Sequence, residues 1–216
     1  MAKINFNIHK IFVEGETDQS LLIYILNKKF GINLKDEDVS NAIINCKGWN
    51  NIENKTTVLK DKSRLANKGK NLVIFDADSK SNHGGFEKRK NQLNAIAKNL
   101  GVEFEIYLLP NNKDNGDLED FYCSCFKSDL YFFNDCWNGM IDCIRNNENG
   151  LTLKYPKSDG KVFSYVDLFQ NYSTGKYKNK KTKRNYFEEG LWDFDFEANQ
   201  NLKGLTTFIE QQIINN

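Results

Sequence analysis

Apolar residues gather into a few short runs set apart by polar turns. In IHKIFVEG the run closes on Glu14 and Gly15, which predicts a first strand. Leu22, Ile25, Leu26 and Phe30 then recur at helical spacing, so a helix should reach about Lys29, with Thr17 placed to cap it. NAIINC, Asn41 to Cys46, suits a buried second strand ended by a polar turn at Gly48, and residues 51–66 are expected to be helical despite weak periodicity. In NLVIFDADS the unbroken apolar run Leu72 to Phe75, with β-branched members, predicts a parallel strand covered on both faces. A SKSNHGG loop leads into a helix whose Phe86, Leu93, Ile96 and Leu100 share one face and which Gly101 closes. Val102, Phe104, Ile106 and Leu108 alternate with Glu103 and Glu105 up to Pro110, giving a fourth strand with one wetter face.

Strands alternating with helices of this length predict βαβ units, hence a Rossmann-like α/β fold with a mostly parallel four-stranded sheet flanked by helices. Beyond Pro110 the pattern changes. NNKDNGDLEDFYCSCF reads as a polar loop entering an aromatic helix, and Leu130 to Ile144 as a further helix. Residues 146–160 are expected to be loop, Val162 to Phe169 helix, and Leu205 to Ile214 a last helix, with no clear strand. The expected division is therefore an α/β core over 1–126 and an α-rich C-terminal extension over 127–216, packed on the core.

A chain of 216 residues can bury roughly 70% of its unfolded surface, and 16 Phe with 9 Tyr supply bulky apolar side chains that a disordered chain lacks. The formal net charge of +1 leaves no global field, so attraction to a polyanion has to be local. The N-terminal segment lacks the pattern of a signal peptide, and no apolar run approaches the roughly 20 residues that span a bilayer. A soluble cytoplasmic protein without a membrane role is expected. Five cysteines and no export signal point to reduced thiols. Cys123, Cys125, Cys136 and Cys143 share a stretch that could be read as a zinc site, but their spacing lacks paired CxxC knuckles. Beside Phe121, Tyr122 and Phe126, Cys123 and Cys125 read as small hydrophobes.

The candidate chemistry lies where strands end. Ligands of open α/β sheets bind outside the carboxyl ends of parallel strands, and Glu14 and Asp76 both occupy that position. Asp76 and Asp78, two apart in an extended segment, would project to one side and chelate a hard cation, with Ser79 as an extra oxygen. Asp18 falls in the first turn of the helix after Glu14, near enough to share the site. Carboxylates so packed repel one another, and divalent cations remove that penalty. One or two Mg2+ or Mn2+ ions held there would suit phosphodiester hydrolysis. Taken singly, VEG and DAD are ordinary strand ends and Asp18 an ordinary helix-dipole partner; their order and context give them weight.

FVEGETD followed by VIFDADS resembles the TOPRIM signature shared by topoisomerases, primases, ribosomal RNA maturation nucleases and OLD-family nucleases. YLLPNNKDNGDLEDFY and a Trp-containing tail look like bacterial TOPRIM-like proteins related to the OLD branch. The resemblance covers roughly Ile4 to Phe126 with its key motifs. It implies a metal-ligating or acid/base role for Glu14, magnesium binding by Asp76 and Asp78, and a second-metal role for Asp18. Glu119 and Asp120 are candidates for the remaining acidic position, and Lys161 for a basic residue that steadies the transition state. The implied activity is a metal-dependent nuclease acting on DNA or RNA, and the OLD resemblance further suggests a phage-defence effector regulated by a partner ATPase, since this chain lacks the ATPase half of OLD enzymes. Nothing resembles a topoisomerase tyrosine context or a primase zinc module.

Two other readings stay open. A catalytically silent TOPRIM module could bind nucleic acid, nucleotide or a protein, and FDADS superficially matches the nucleophile motif of haloacid-dehalogenase-like phosphatases. In those enzymes the motif follows the first strand, whereas here it follows the third and leaves Glu14 without a role. Lys176, Lys178, Lys180, Lys181, Lys183 and Arg184, beside Tyr172, Tyr177 and Tyr186, form a candidate phosphate-tracking loop, weighed against a solvated loop offset by Glu188, Glu189, Asp193 and Asp195. His9 and His83 are expected at the surface or in loops.

Overall fold

In the computed structural model, which describes residues 4–79, 83–147, 153, 155–156, 158–170, 184–188 and 190–214, the two most apolar runs form the middle of the sheet. β1 (Lys10–Val13) and β3 (Asn71–Asp76) are buried over nearly their whole length, as strands covered on both faces must be. β2 (Ile43–Asn45) and β4 (Glu105–Leu109) flank them. All pairings are parallel in the order β2-β1-β3-β4, so this is an α/β Rossmann-like fold. The chain runs from β1 to one side and returns for β3 on the other. The sheet's topological switch point therefore lies between the carboxyl ends of β1 and β3.

Helix α1 (Glu16–Phe30) buries Leu21, Leu22, Ile25 and Leu26. α5 (Phe86–Leu100) buries Leu93, Ile96 and Ala97 and ends at Gly101, which sits at φ 67 as a left-handed cap should. On one face Phe12, Val73, Phe75 and Leu108 share a core cluster with Leu93, Ile96, Ile52 and Leu59. Helix α2 (Asp36–Ala42) occupies the start of the segment expected as a strand, leaving only three residues to β2. The single helix expected over 51–66 is broken into a 3-10 turn (Trp49–Lys55), α3 (Thr56–Leu59) and α4 (Lys62–Ala66), because the Asp61 carboxylate accepts the Arg64 amide and starts a new helix.

His9, expected at the surface or in a loop, lies just before β1 outside any helix or strand and is buried: its Nδ1 accepts the Lys70 amide at 3.3 Å, and burial with Lys70 and Arg64 nearby lowers its pKa. Arg64 is also buried. Its Nη1 donates to the carbonyls of Ile8 (2.5 Å) and Lys70 (3.0 Å), and its Nη2 to Val58 O (3.0 Å) and the Asn71 side chain. Methionine here would strand several buried acceptors at about 1 kcal/mol or more each, so Arg64→Met is expected to lower stability by about 3 kcal/mol. The midpoint of urea unfolding measures it, and an unchanged midpoint would contradict this role.

The chain divides into two compact units, Met1–Phe121 with Phe196–Asn216, and Tyr122–Asp195. α9 (Gln200–Ile209), with its π-helical continuation Glu210–Ile214, thus belongs with the sheet: the Phe208 and Tyr107 ring centroids are 5.3 Å apart, and Lys70 Nζ donates to Gln212 Oε1 at 2.9 Å. α6 (Leu118–Cys123) crosses the boundary between the units. The second unit holds α7 (Phe132–Asn146) and α8 (Ser158–Phe169). Its core is aromatic: Phe126 stacks on Tyr165 at 4.1 Å, Trp192 and Phe133 close around them, and the Tyr165 hydroxyl donates to Leu191 O at 2.7 Å. Among the described residues no helix is long and apolar enough to cross a membrane.

Candidate functional site

Parallel register carries the two acidic motifs to one edge. Val13 pairs with Ile74, so Glu14, the next residue, leaves the sheet beside the end of β3. Its Oε1 accepts the Asp76 amide at 3.0 Å, joining residues 62 apart in sequence at the switch point. Gly15, not Thr17, is the N-cap of α1: the chain turns directly out of the strand, and Asp18 at the third helical position reaches back so that its Oδ2 accepts the Gly15 amide at 3.1 Å. Asp18 is only 7% exposed, and its Oδ1 is buried with no hydrogen-bond partner. Capping thus uses one oxygen and leaves the other. Asp76 Oδ1 is likewise buried and unpartnered.

Burial and mutual repulsion set the charge state. Burial, then Asp18, then Asp78 more weakly, push the Glu14 carboxyl up to about 7, against the pull of the Asp76 amide and Arg89. Burial pushes Asp18 up to about 6, with backbone N–H groups holding it back. Asp76 rises well above the usual carboxylate range through burial, followed by Asp18, Glu14, Asp117 and Glu119.

Asp78 departs from the expected geometry. The segment is not extended there: Asp78 sits at φ 60, and its amide and carbonyl form an isolated antiparallel bridge with Gly116 at 2.7 and 3.2 Å. Its Oδ2 is ion-paired with Arg89 Nη2. Two glycines permit this arrangement. A Cβ on Gly84 would run into the Asp78 Cβ and lie 2.9 Å from Ala77 O, and Gly116, at φ 150, would place one 2.6 Å from Asp120 Oδ2. Ser79 lies alongside, its carbonyl accepting the Gly84 amide.

The loop after β4 contributes differently from expectation. Asp117 and Asp120 form a reciprocal cap, the Asp120 amide donating to Asp117 Oδ1 at 3.0 Å and the Asp117 amide to Asp120 Oδ2 at 3.2 Å. Asp120 is thereby turned into its own turn. Glu119 and Asp117 are the acids of this segment felt by Asp76. Asp117 was legible as the N-cap of a DLED box. Arg89 was missed; its place in the Phe86, Leu93, Ile96 stripe of α5 is the one signal that sets it apart from the other basic residues.

Among the described residues, no three His, Cys, Asp or Glu side chains already stand as a complete metal-ligand set. Lys161 lies on α8 in the second unit, its Nζ 5.9 Å from the Phe126 ring. Of the basic loop only Arg184 is described, and it is engaged, bonding Asp167 at 2.9 and 2.7 Å; Lys176, Lys178, Lys180, Lys181 and Lys183 lie outside the described residues. His83 is exposed, Cys46 and Cys125 are buried, and Cys136 and Cys143 are exposed.

Fold and site together define a Rossmann-like α/β protein with a repulsive carboxylate cluster at its switch point. Residues 8–205 match the model of the family described as "Protein of unknown function (DUF3226)", and the chain belongs to that family. Neither the curated proteins nor the solved structures yield a match.

Proposed function

We propose that this chain is a divalent-metal-dependent phosphodiesterase of TOPRIM and OLD type that cleaves DNA or RNA. Glu14 bonded to the Asp76 amide carries this reading, because it unites the two motifs whose order and spacing resemble TOPRIM. The orphaned, buried oxygens of Asp18 and Asp76 fit a hard cation, which offers the partner that the protein does not. Glu14, Asp18 and Asp76 would hold Mg2+ or Mn2+, with Asp117 and Glu119 adding negative charge at Asp76 and Asp78 at Glu14. When bound, the ion or ion pair supplies a polarised phosphoryl oxygen and an acidified water. In the metal-free site burial and Asp18 raise the Glu14 carboxyl to about 7, and a bound cation would favour its ionised form. A role in phage defence and a regulatory ATPase partner follow from the OLD resemblance alone.

The phosphatase reading is weaker, since Glu14 now has a role beside Asp76. One observation favours a catalytically silent module: Arg89 occupies the Asp78 carboxylate. Incubation of single- and double-stranded DNA and RNA with Mn2+, Mg2+ or EDTA decides between them. Cleavage that EDTA stops supports the enzyme, and silence with every substrate and metal supports the module.

A further inference from the structure

Arg89, like Arg64, is a buried cation of the first unit. It is 2% exposed and meets four partners: Nη2 bonds Asp78 Oδ2, Nη1 donates to Gln92 Oε1 at 3.2 Å, Nε donates to Asp76 O at 3.3 Å, and the guanidinium lies 4.0 Å over the Trp49 ring. Only one of these partners is a carboxylate, and it is held through one oxygen. The others, an amide, a carbonyl and a ring, are neutral and belong to segments fixed by their own packing. The Asp78 backbone is pinned independently by its bridge to Gly116, so its carboxylate can turn while the chain stays in place. A groove of about 310 Å3 is bordered by two of the guanidinium's partners, Trp49 and Gln92, together with Asn50, Glu53 and Asn99.

We infer that Arg89 is a displaceable counter-cation built into the acidic site: it holds Asp78 until a divalent ion draws that carboxylate away, and is then retained by Gln92, Trp49 and the Asp76 carbonyl. The inference rests on the metal-site reading above and adds to it a competition between an internal and an external cation for one carboxylate. A purely structural ion pair and a competing one make opposite predictions. Loss of a structural pair loosens the site and weakens metal binding. Loss of a competitor removes a nearby positive charge and leaves Asp78 available, which tightens it.

The experiment is Mn2+ titration by calorimetry of the wild type, Arg89→Met and Asp76→Asn, with Mg2+ titration followed by tryptophan emission. Arg89→Met is expected to bind Mn2+ at least about fivefold more tightly than the wild type, and Asp76→Asn to lose binding. Addition of Mg2+ to the wild type should change the emission of Trp49 as the guanidinium above it loses its neutralising carboxylate, a change absent from Trp49→Phe. The emission arm needs no Arg89 variant, so it decides the matter if Arg89→Met fails to fold. Equal or weaker Mn2+ binding by a folded Arg89→Met, or emission that ignores Mg2+ in a wild type that binds it, overturns the inference and leaves the metal site standing. A wild type that binds no divalent ion overturns both.

Discussion

Asparagine at Asp76 is expected to lower metal-dependent cleavage by at least about a thousandfold. Metal-ion chemistry of this kind contributes several kcal/mol, and a loss of about 4 kcal/mol is three decades in rate. Asp76 stands where every acidic element of the site meets: its amide holds Glu14, its Oδ1 is the orphan, and Asp18, Asp117 and Glu119 all bear on its charge. Its neighbours should grade accordingly. Glu119→Gln, further out, is expected to cost about tenfold, whereas Asp120→Asn should change cleavage by less than about twofold and instead lower stability by about 1 kcal/mol through the lost cap. Rates measured for the three variants in Mn2+ test the ordering. Equal losses at Asp76 and Asp120 would mean that the loop, not the strand end, carries the chemistry.

The same substitution should make the metal-free protein more stable at pH 8. The folded-state pKa values of Glu14, about 7, and Asp18, about 6, lie above the roughly 4 expected unfolded, and Asp76 is raised as well. The folded protein therefore holds protons that the unfolded chain releases as pH rises, and these groups subtract stability between about pH 4 and 7 and remain unfavourable above it. Removing one charge with Asp76→Asn should raise stability at pH 8 by about 1 to 3 kcal/mol, a shift of several degrees for a chain this size, and the gain should shrink toward zero near pH 4. Mg2+ should stabilise the wild type at pH 8 and leave the variant unmoved. Thermal melts across pH with and without Mg2+ measure both effects. A variant less stable than the wild type at pH 8 would mean that these carboxylates are structural.

Much of this was legible in the chain. The apolar runs ending at Val13 and Phe75 could only be central parallel strands, and two acids following such runs had to emerge on one edge. Asp18 was legible for the same reason, one turn along the helix that begins there. Asp78 was not: the period-two argument assumes an extended chain, and the bridge to Gly116 together with the close approach of Gly84 holds Asp78 in a left-handed conformation instead. Local propensity lost there to a tertiary contact between segments far apart in sequence. Residues 51–66 misled differently, since Asp61 interrupts the helix with a cap that weak periodicity could not reveal. The buried cations hid in plain composition. Arg64 and Arg89 look like two of 30 basic residues until the carbonyls and the carboxylate they serve are seen. His9 lies outside any helix or strand, one of the two places expected for it, but its burial was not legible, because it depends on a partner, the Lys70 amide, that sequence does not show.

Crystals grown with Mn2+ and measured at its absorption edge address the central claim most directly. An anomalous peak enclosed by Glu14, Asp18 and Asp76, absent from Asp76→Asn crystals, is the predicted result. Density for those three side chains without any peak, in a protein saturated with Mn2+, would contradict it.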